Sequence, residues 1–143
     1  MLQLVILVGL QASGKSTYYR EKLAATHVHV SKDLMPNTRH RDAKQLALIE
    51  AALAERKPVA VDNTNPTPTE RAPLIALGKH YGARVVACYF ETNVKDSVVR
   101  NRGREGKARV PDVAIFTTAK KLVPPTFAEG FDEVHVIASP PVN

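Results

Sequence analysis

The stretch LVILVGLQASGKST, Leu4–Thr17, decides the fold. Its apolar half, Leu4–Val8, has the length and composition of a strand buried on both faces. The eight residues that follow, Gly9–Ser16, fit the pattern G-x-x-x-x-G-K-[ST] at every fixed position. That pattern requires a strand before it and a helix after it, and the flanking sequence supplies both. Gly9 and Gly14 permit backbone conformations that a Cβ would obstruct, so successive N–H groups turn inward onto an anion. The helix beginning near Lys15 adds the positive end of its dipole.

Outward from the loop, apolar β-rich runs alternate with amphipathic segments. LQLVILV, HVHVS, PVAVD, ARVVACYF and DEVHVIA read as five strands, separated by helices near 15–25, 40–56, 67–81, 93–104 and 111–122. Within 40–56, Leu46, Ile49 and Leu53 recur at helical spacing while Lys44 and Glu50 face elsewhere. Such alternation implies an α/β fold, a five-stranded mostly parallel sheet between helices. In these sheets ligands sit beyond the carboxyl ends of the strands. The 143 residues are expected to form one domain, 1–143, around one core. No repeat or low-complexity tract interrupts it.

Composition narrows the setting. The lone Cys88 lies inside VVACYF, reads as a core residue and has no disulfide partner, so a reducing, cytoplasmic compartment is expected. The start LQLVILVGL lacks a basic leader and runs straight into the loop, unlike a signal peptide. Nothing else approaches the roughly 20 apolar residues of a membrane span. A net charge of +6 favours polyanionic partners without identifying one.

The strand ends hold the candidate chemistry. In the loop, Lys15 would set its ammonium against the β- and γ-phosphates of a nucleotide and the Ser16 hydroxyl would ligate Mg²⁺. After the second strand, Asp33 either accepts the proton of an attacking hydroxyl or caps the next turn. The third strand ends in VDNTN, which places Asp62 as an acid of the Mg²⁺ shell. Asn63, Thr64 and Asn65 either bond an acceptor or build a turn. Downstream, Arg100, Arg102, Arg104, Lys107 and Arg109 form either a solvated basic face or an Arg-rich lid over about 100–110, with Gly103 and Gly106 permitting closure. Arg100 and Arg104, four apart, are expected to share a helix face. The five histidines show no metal-ligand spacing.

Taken together, GLQASGKST, VHVSKD, VAVDNTNP, RNRGRE and PPTFAEGFDEV resemble the 5′-hydroxyl polynucleotide kinases, in particular the kinase domain of the polynucleotide kinase-phosphatases, from about Gly9 to Phe131. The resemblance implies a P-loop NTPase fold of nucleotide-kinase type. It implies ATP and Mg²⁺ as cofactors and a 5′-OH end of DNA or RNA as acceptor. It implies Asp33, Lys15, Arg100 and Arg104 as the catalytic set. Gly9, Gln11, Ala12, Ser13, Gly14, Lys15, Ser16 and Thr17 would bind the nucleotide, with Ser16 on the metal, and Asp62, Asn63 and Thr64 would face the substrate. Two positions depart from the family: Lys32 stands where Arg is usual, and Pro36 stands where a phage relative has an Arg touching the acceptor's 3′ phosphate. Kinases of small metabolites or of nucleotide-sugars share the loop, the acid and the arginine lid, and a nucleotide-dependent switch or binding module with little transfer activity is a further alternative.

Overall fold

The computed structural model describes residues 1–35 and 39–138. Its centre is a sheet of five strands, β1 (Gln3–Val8), β2 (Val28–Val30), β3 (Val59–Asp62), β4 (Arg84–Glu91) and β5 (Glu133–Ala138), in the order β2-β3-β1-β4-β5. Every pairing is parallel. Parallel neighbours need long crossovers, and these carry α1 (Lys15–Tyr18), α2 (Arg41–Ala54), α3 (Pro68–His80), α4 (Val94–Arg102) and α5 (Asp112–Lys121). The expected α/β architecture, a P-loop fold, is the one observed.

β1 occupies the middle because its side chains leave no face for water: Leu4, Ile6, Leu7 and Val8 are fully buried. Alternate residues feed two cores. Leu4, Ile6 and Val8 pack with Ile49 and Leu53 of α2 and with Leu74 and Ile75 of α3. Val5 and Leu7 pack on the other face with Tyr19, Val86, Cys88 and Phe90. Burial pushes the Cys88 thiol up to about 11. A third cluster, Leu10, Val98 and Ile115, seats α4 and α5 beside the loop that follows β1. Among the described residues no helix is long and apolar enough to cross a membrane.

Two elements differ from the periodicity. The expected helix 15–25 is α-helical only over Lys15–Tyr18 and widens into a π-turn over Tyr19–Leu23. The Tyr19 hydroxyl there donates to the His27 carbonyl at 2.6 Å, and its ring stacks on His29 with centroids 4.0 Å apart. Widened turns of this kind concentrate at functional sites. The second difference is α4, which ends at Arg102 instead of 104. Asn101 turns inward there, fully buried, donating to the Val110 carbonyl at 2.6 Å and accepting the Val110 N–H at 2.9 Å. Arg104 thus lies beyond the helix, and the expectation that it shares a helix face with Arg100 is not met.

The α3–sheet interface has no room to spare at Gly78. A Cβ there would lie 2.8 Å from Val85 Cγ2 and 2.9 Å from Leu4 Cδ2, and both of those side chains are fully buried. Gly78→Val is expected to lower the unfolding free energy by about 2–3 kcal/mol in urea denaturation. An unchanged midpoint would mean that α3 sits farther from the sheet than described.

Candidate functional site

The carboxyl ends of the strands open onto one cleft of about 1370 Å³, where a parallel sheet places its ligands. Its walls are the loop after β1, Lys32 and Asp33 after β2, Asp62–Asn65 at the end of β3, and Arg100, Arg104 and Lys107. Among the residues expected to bind the nucleotide, Gln11 through Thr17 line this cleft and Gly9 does not.

The backbone explains the loop's composition. Left-handed conformations fall at Ala12 (φ 59°) and Gly14 (φ 100°), not at Gly9. Gly9 is required for close approach: a Cβ would meet Ser13 Oγ at 2.9 Å and Phe90 Cβ at 3.0 Å. The loop is tied down at its entrance, where the Gly9 N–H donates to the Thr64 carbonyl at 3.1 Å and Asn65 Nδ2 donates to the Leu7 carbonyl at 2.8 Å. Gln11 bonds Thr118 Oγ1 of α5 at 3.0 Å, so its amide anchors the loop.

Lys15 is buried, and its Nζ donates to the carbonyls of Leu10 and Gly9 at 2.6 and 3.0 Å. Burial lowers its pKa to about 8; Asp62 opposes that fall, Arg104 adds to it, and Asp33 opposes it. These charges therefore act across a common space. Asp62 is buried at the end of β3, where its Oδ2 accepts the Ser16 hydroxyl at 2.8 Å and lies 2.9 Å from His29 Nε2. Ser16 Oγ and the Asp62 carboxylate are hard oxygen donors that fit Mg²⁺. Among the described residues no group of three or more His, Cys, Asp and Glu side chains could hold a metal ion, so an ion held here would need phosphate or water to complete its shell. The part of His29 was not apparent from its alternation with His27; it arises from pairing β2 beside β3, with His29 in register with Ala60.

Asp33 stands exposed on the short turn Lys32–Leu34. Ser31 caps this turn, its Oγ accepting the Asp33 N–H at 3.2 Å, and Asp33 lines the cleft. Asn63 brackets this turn, accepting the Lys32 N–H at 2.9 Å through Oδ1 and donating through Nδ2 to Gln45 Oε1 of α2. Asn65, at φ 43°, turns the chain, and it lines the cleft together with Thr64. Pro36 lies outside the described residues. The basic run divides. Arg100, Arg104 and Lys107 line the cleft, while Arg102 pairs outside with Asp112 at 3.2 Å and Arg109 is exposed. Gly103 is an ordinary helix end, and only Gly106 is left-handed, at φ 61°.

A family model described as an AAA domain matches residues 4–125, from β1 through α5. The chain belongs to that AAA domain family. This AAA domain is 27% identical over 139 residues to a bifunctional polynucleotide phosphatase/kinase of Schizosaccharomyces pombe, a match covering 94% of the chain and 33% of the relative. It spans about a third of the length of the curated relatives it matches. A solved fungal RNA kinase superposes with a TM-score of 0.75 at 14% identity, over 97% of this chain and 39% of that one. A gluconokinase from Sinorhizobium meliloti 1021 superposes with a TM-score of 0.66 at 20% identity, over 96% and 82%. At these identities the two structural likenesses are likenesses of fold.

The AAA domain's Lys15 is expected to titrate near pH 8 when followed by NMR of its labelled Cε. Inorganic pyrophosphate should raise that value, because a neighbouring negative charge favours the ammonium. Pyrophosphate binding then takes up protons where free Lys15 is neutral, above about pH 8, and none well below it, where Lys15 is charged in both states. A Lys15 titration unmoved by pyrophosphate would place the anion elsewhere.

Proposed function

We propose that this chain is an ATP-dependent kinase that transfers the γ-phosphoryl group to the 5′-hydroxyl end of a DNA or RNA strand. The observation carrying the reading is the meeting of Lys15, Asp33 and Arg104 in one cleft, close enough for each charge to act on Lys15. The curated relative named for polynucleotide phosphatase/kinase activity supports the choice of acceptor, and so do the net charge of +6 and the cationic wall of the cleft.

When bound, Mg·ATP supplies the phosphoryl group and the ion that shares its charge. Ser16 and Asp62 would hold that ion on the protein's side. Asp33 accepts the proton of the attacking hydroxyl. Lys15, Arg100 and Arg104 stabilise charge on the transferred group from fixed positions, without reorganising at the moment of reaction. Asn63 and Thr64 flank the acceptor. Phosphoryl transfer asks chiefly for such placement, because little covalent chemistry falls to the protein.

Label from γ-labelled ATP should appear on 5′-OH oligonucleotides in a panel that also holds small hydroxylated metabolites. Asp33→Asn should slow that labelling by about 10²–10⁴-fold while leaving ATP affinity within about a factor of two. Turnover untouched by Asp33→Asn would remove the base assignment.

A second reading, a small-metabolite kinase, has one observation in its favour. The gluconokinase match extends over 82% of that structure, whereas the polynucleotide phosphatase/kinase is matched over 33% of its length. Salt separates the two. Affinity for a strand contacted at several phosphates should fall steeply, with a slope in log–log form of about −0.7 per contact. A flat salt response with label on a metabolite selects the second reading.

A further inference from the structure

Among the described residues Arg71 heads the fully buried side chains by volume, yet it does not line the cleft. A guanidinium keeps its charge at any accessible pH, and such a charge is costly to bury unless its donors are satisfied. From α3, Arg71 Nε and Nη2 donate to the two carboxylate oxygens of Glu129, at 2.8 and 3.0 Å. Nη1 donates to the backbone carbonyls of Asn65 and Val123, at 2.9 and 3.0 Å. Glu129 is itself held by the Thr126 N–H at 2.9 Å. Burial pushes the Glu129 carboxyl up, but the Arg71 hydrogen bond and the Thr126 N–H prevail and hold it below its ordinary range.

A buried ion pair adds little stability over apolar side chains of similar volume. Arginine at this place therefore points to geometry, and the geometry leads to Asn65. Asn65 sits in a left-handed turn and bonds the Leu7 carbonyl; its neighbour Thr64 accepts the Gly9 N–H; and Asn63 holds the Lys32 N–H next to Asp33. The turn that Arg71 grips is thus bonded both to the entrance of the phosphate loop and to the segment bearing Asp33.

We propose that Arg71, aligned by Glu129, is a positioning residue that fixes the turn Asn63–Asn65 and so keeps the Gly9–Ser16 loop and Asp33 in register with each other. Its kinetic consequence rests on the kinase reading of the cleft; its structural consequence does not. Glu129 lies beyond residue 125, where the family match ends, so the stretch PPTFAEGFDEV acquires a structural role, carrying the carboxylate that orients the arginine.

The test uses the full chain with Arg71→Lys, Arg71→Met, and the double variant Arg71→Met with Glu129→Leu. Three quantities are read: the thermal midpoint, amide hydrogen exchange without substrate, and labelling of a 5′-OH DNA oligonucleotide from γ-labelled ATP. Arg71→Met alone strands a largely covered carboxylate and should lower the midpoint, whereas the double variant, with both charges gone, should recover most of it. In the double variant the Gly9 and Lys32 amides should nonetheless exchange at least about tenfold faster, with the Ile6 amide in the sheet unchanged. Labelling should remain about 10- to 100-fold slow. Arg71→Lys keeps the charge but cannot grip Glu129 and the Asn65 carbonyl together, and should label as slowly as the double variant. A double variant whose Gly9 and Lys32 amides exchange as in the parent, or whose labelling returns together with its midpoint, overturns the proposal. Should the parent chain label no oligonucleotide, the kinase reading fails, and exchange at Gly9 and Lys32 alone decides the role of Arg71.

Discussion

A buried ammonium governs this molecule. Lys15 has almost no exposed surface, and a charge so placed persists only where hydrogen-bond acceptors and opposite charge surround it. The acceptors are the carbonyls of Gly9 and Leu10, which fold over it only because the loop doubles back through left-handed Ala12 and Gly14. The opposite charge is Asp62, delivered by β3, which must therefore lie directly beside β1; the register sets Leu7 opposite Asp62. One electrostatic requirement thus fixes the path of the loop and a neighbour in the sheet.

Asparagines do much of the remaining joinery. Asn63 joins the Asp33 turn to α2, Asn65 joins the turn after β3 to β1, and Asn101 closes the base of the basic loop on Val110. One carboxamide carries both donors and an acceptor, so a single side chain can clasp a backbone segment that has left its ladder. Asn also tolerates the left-handed turn seen at Asn65. The chemistry of the cleft is carried by charged groups, but their spacing is kept by neutral ones.

The inner strands were legible because β1, β3 and β4 bury both faces along most of their length and must be continuous apolar runs, as in LVILV, whereas the edge strands β2 and β5 show only as short β-branched stretches. Asp33 and Asp62 were legible for a positional reason, since both follow strands and ligands gather at strand ends. What escaped depends on pairs distant in sequence. The contact of His29 with Asp62 needs β2 placed beside β3, and the early end of α4 needs Asn101 to find Val110. The grip of Arg71 on Glu129 crosses 58 positions. A basic residue at a helix position announces a solvated face, and nothing local marks Arg71 as buried. The alternatives at Asp33 and Asn65 are not separable from residue type, because a cap, a base and a turn call for the same side chains.

The protein's single thiol has a practical consequence. Cys88 faces the packed side of β4, nearly without exposure, and its acidity is too weak for thiolate at neutral pH. Maleimides and disulfide reagents react through thiolate and need access, so native protein presents them with a silent background. A cysteine introduced at an outward position of the basic loop, such as Arg109, would then be the sole reactive handle, and a dye attached there would report loop motion without first having to delete the natural sulfur.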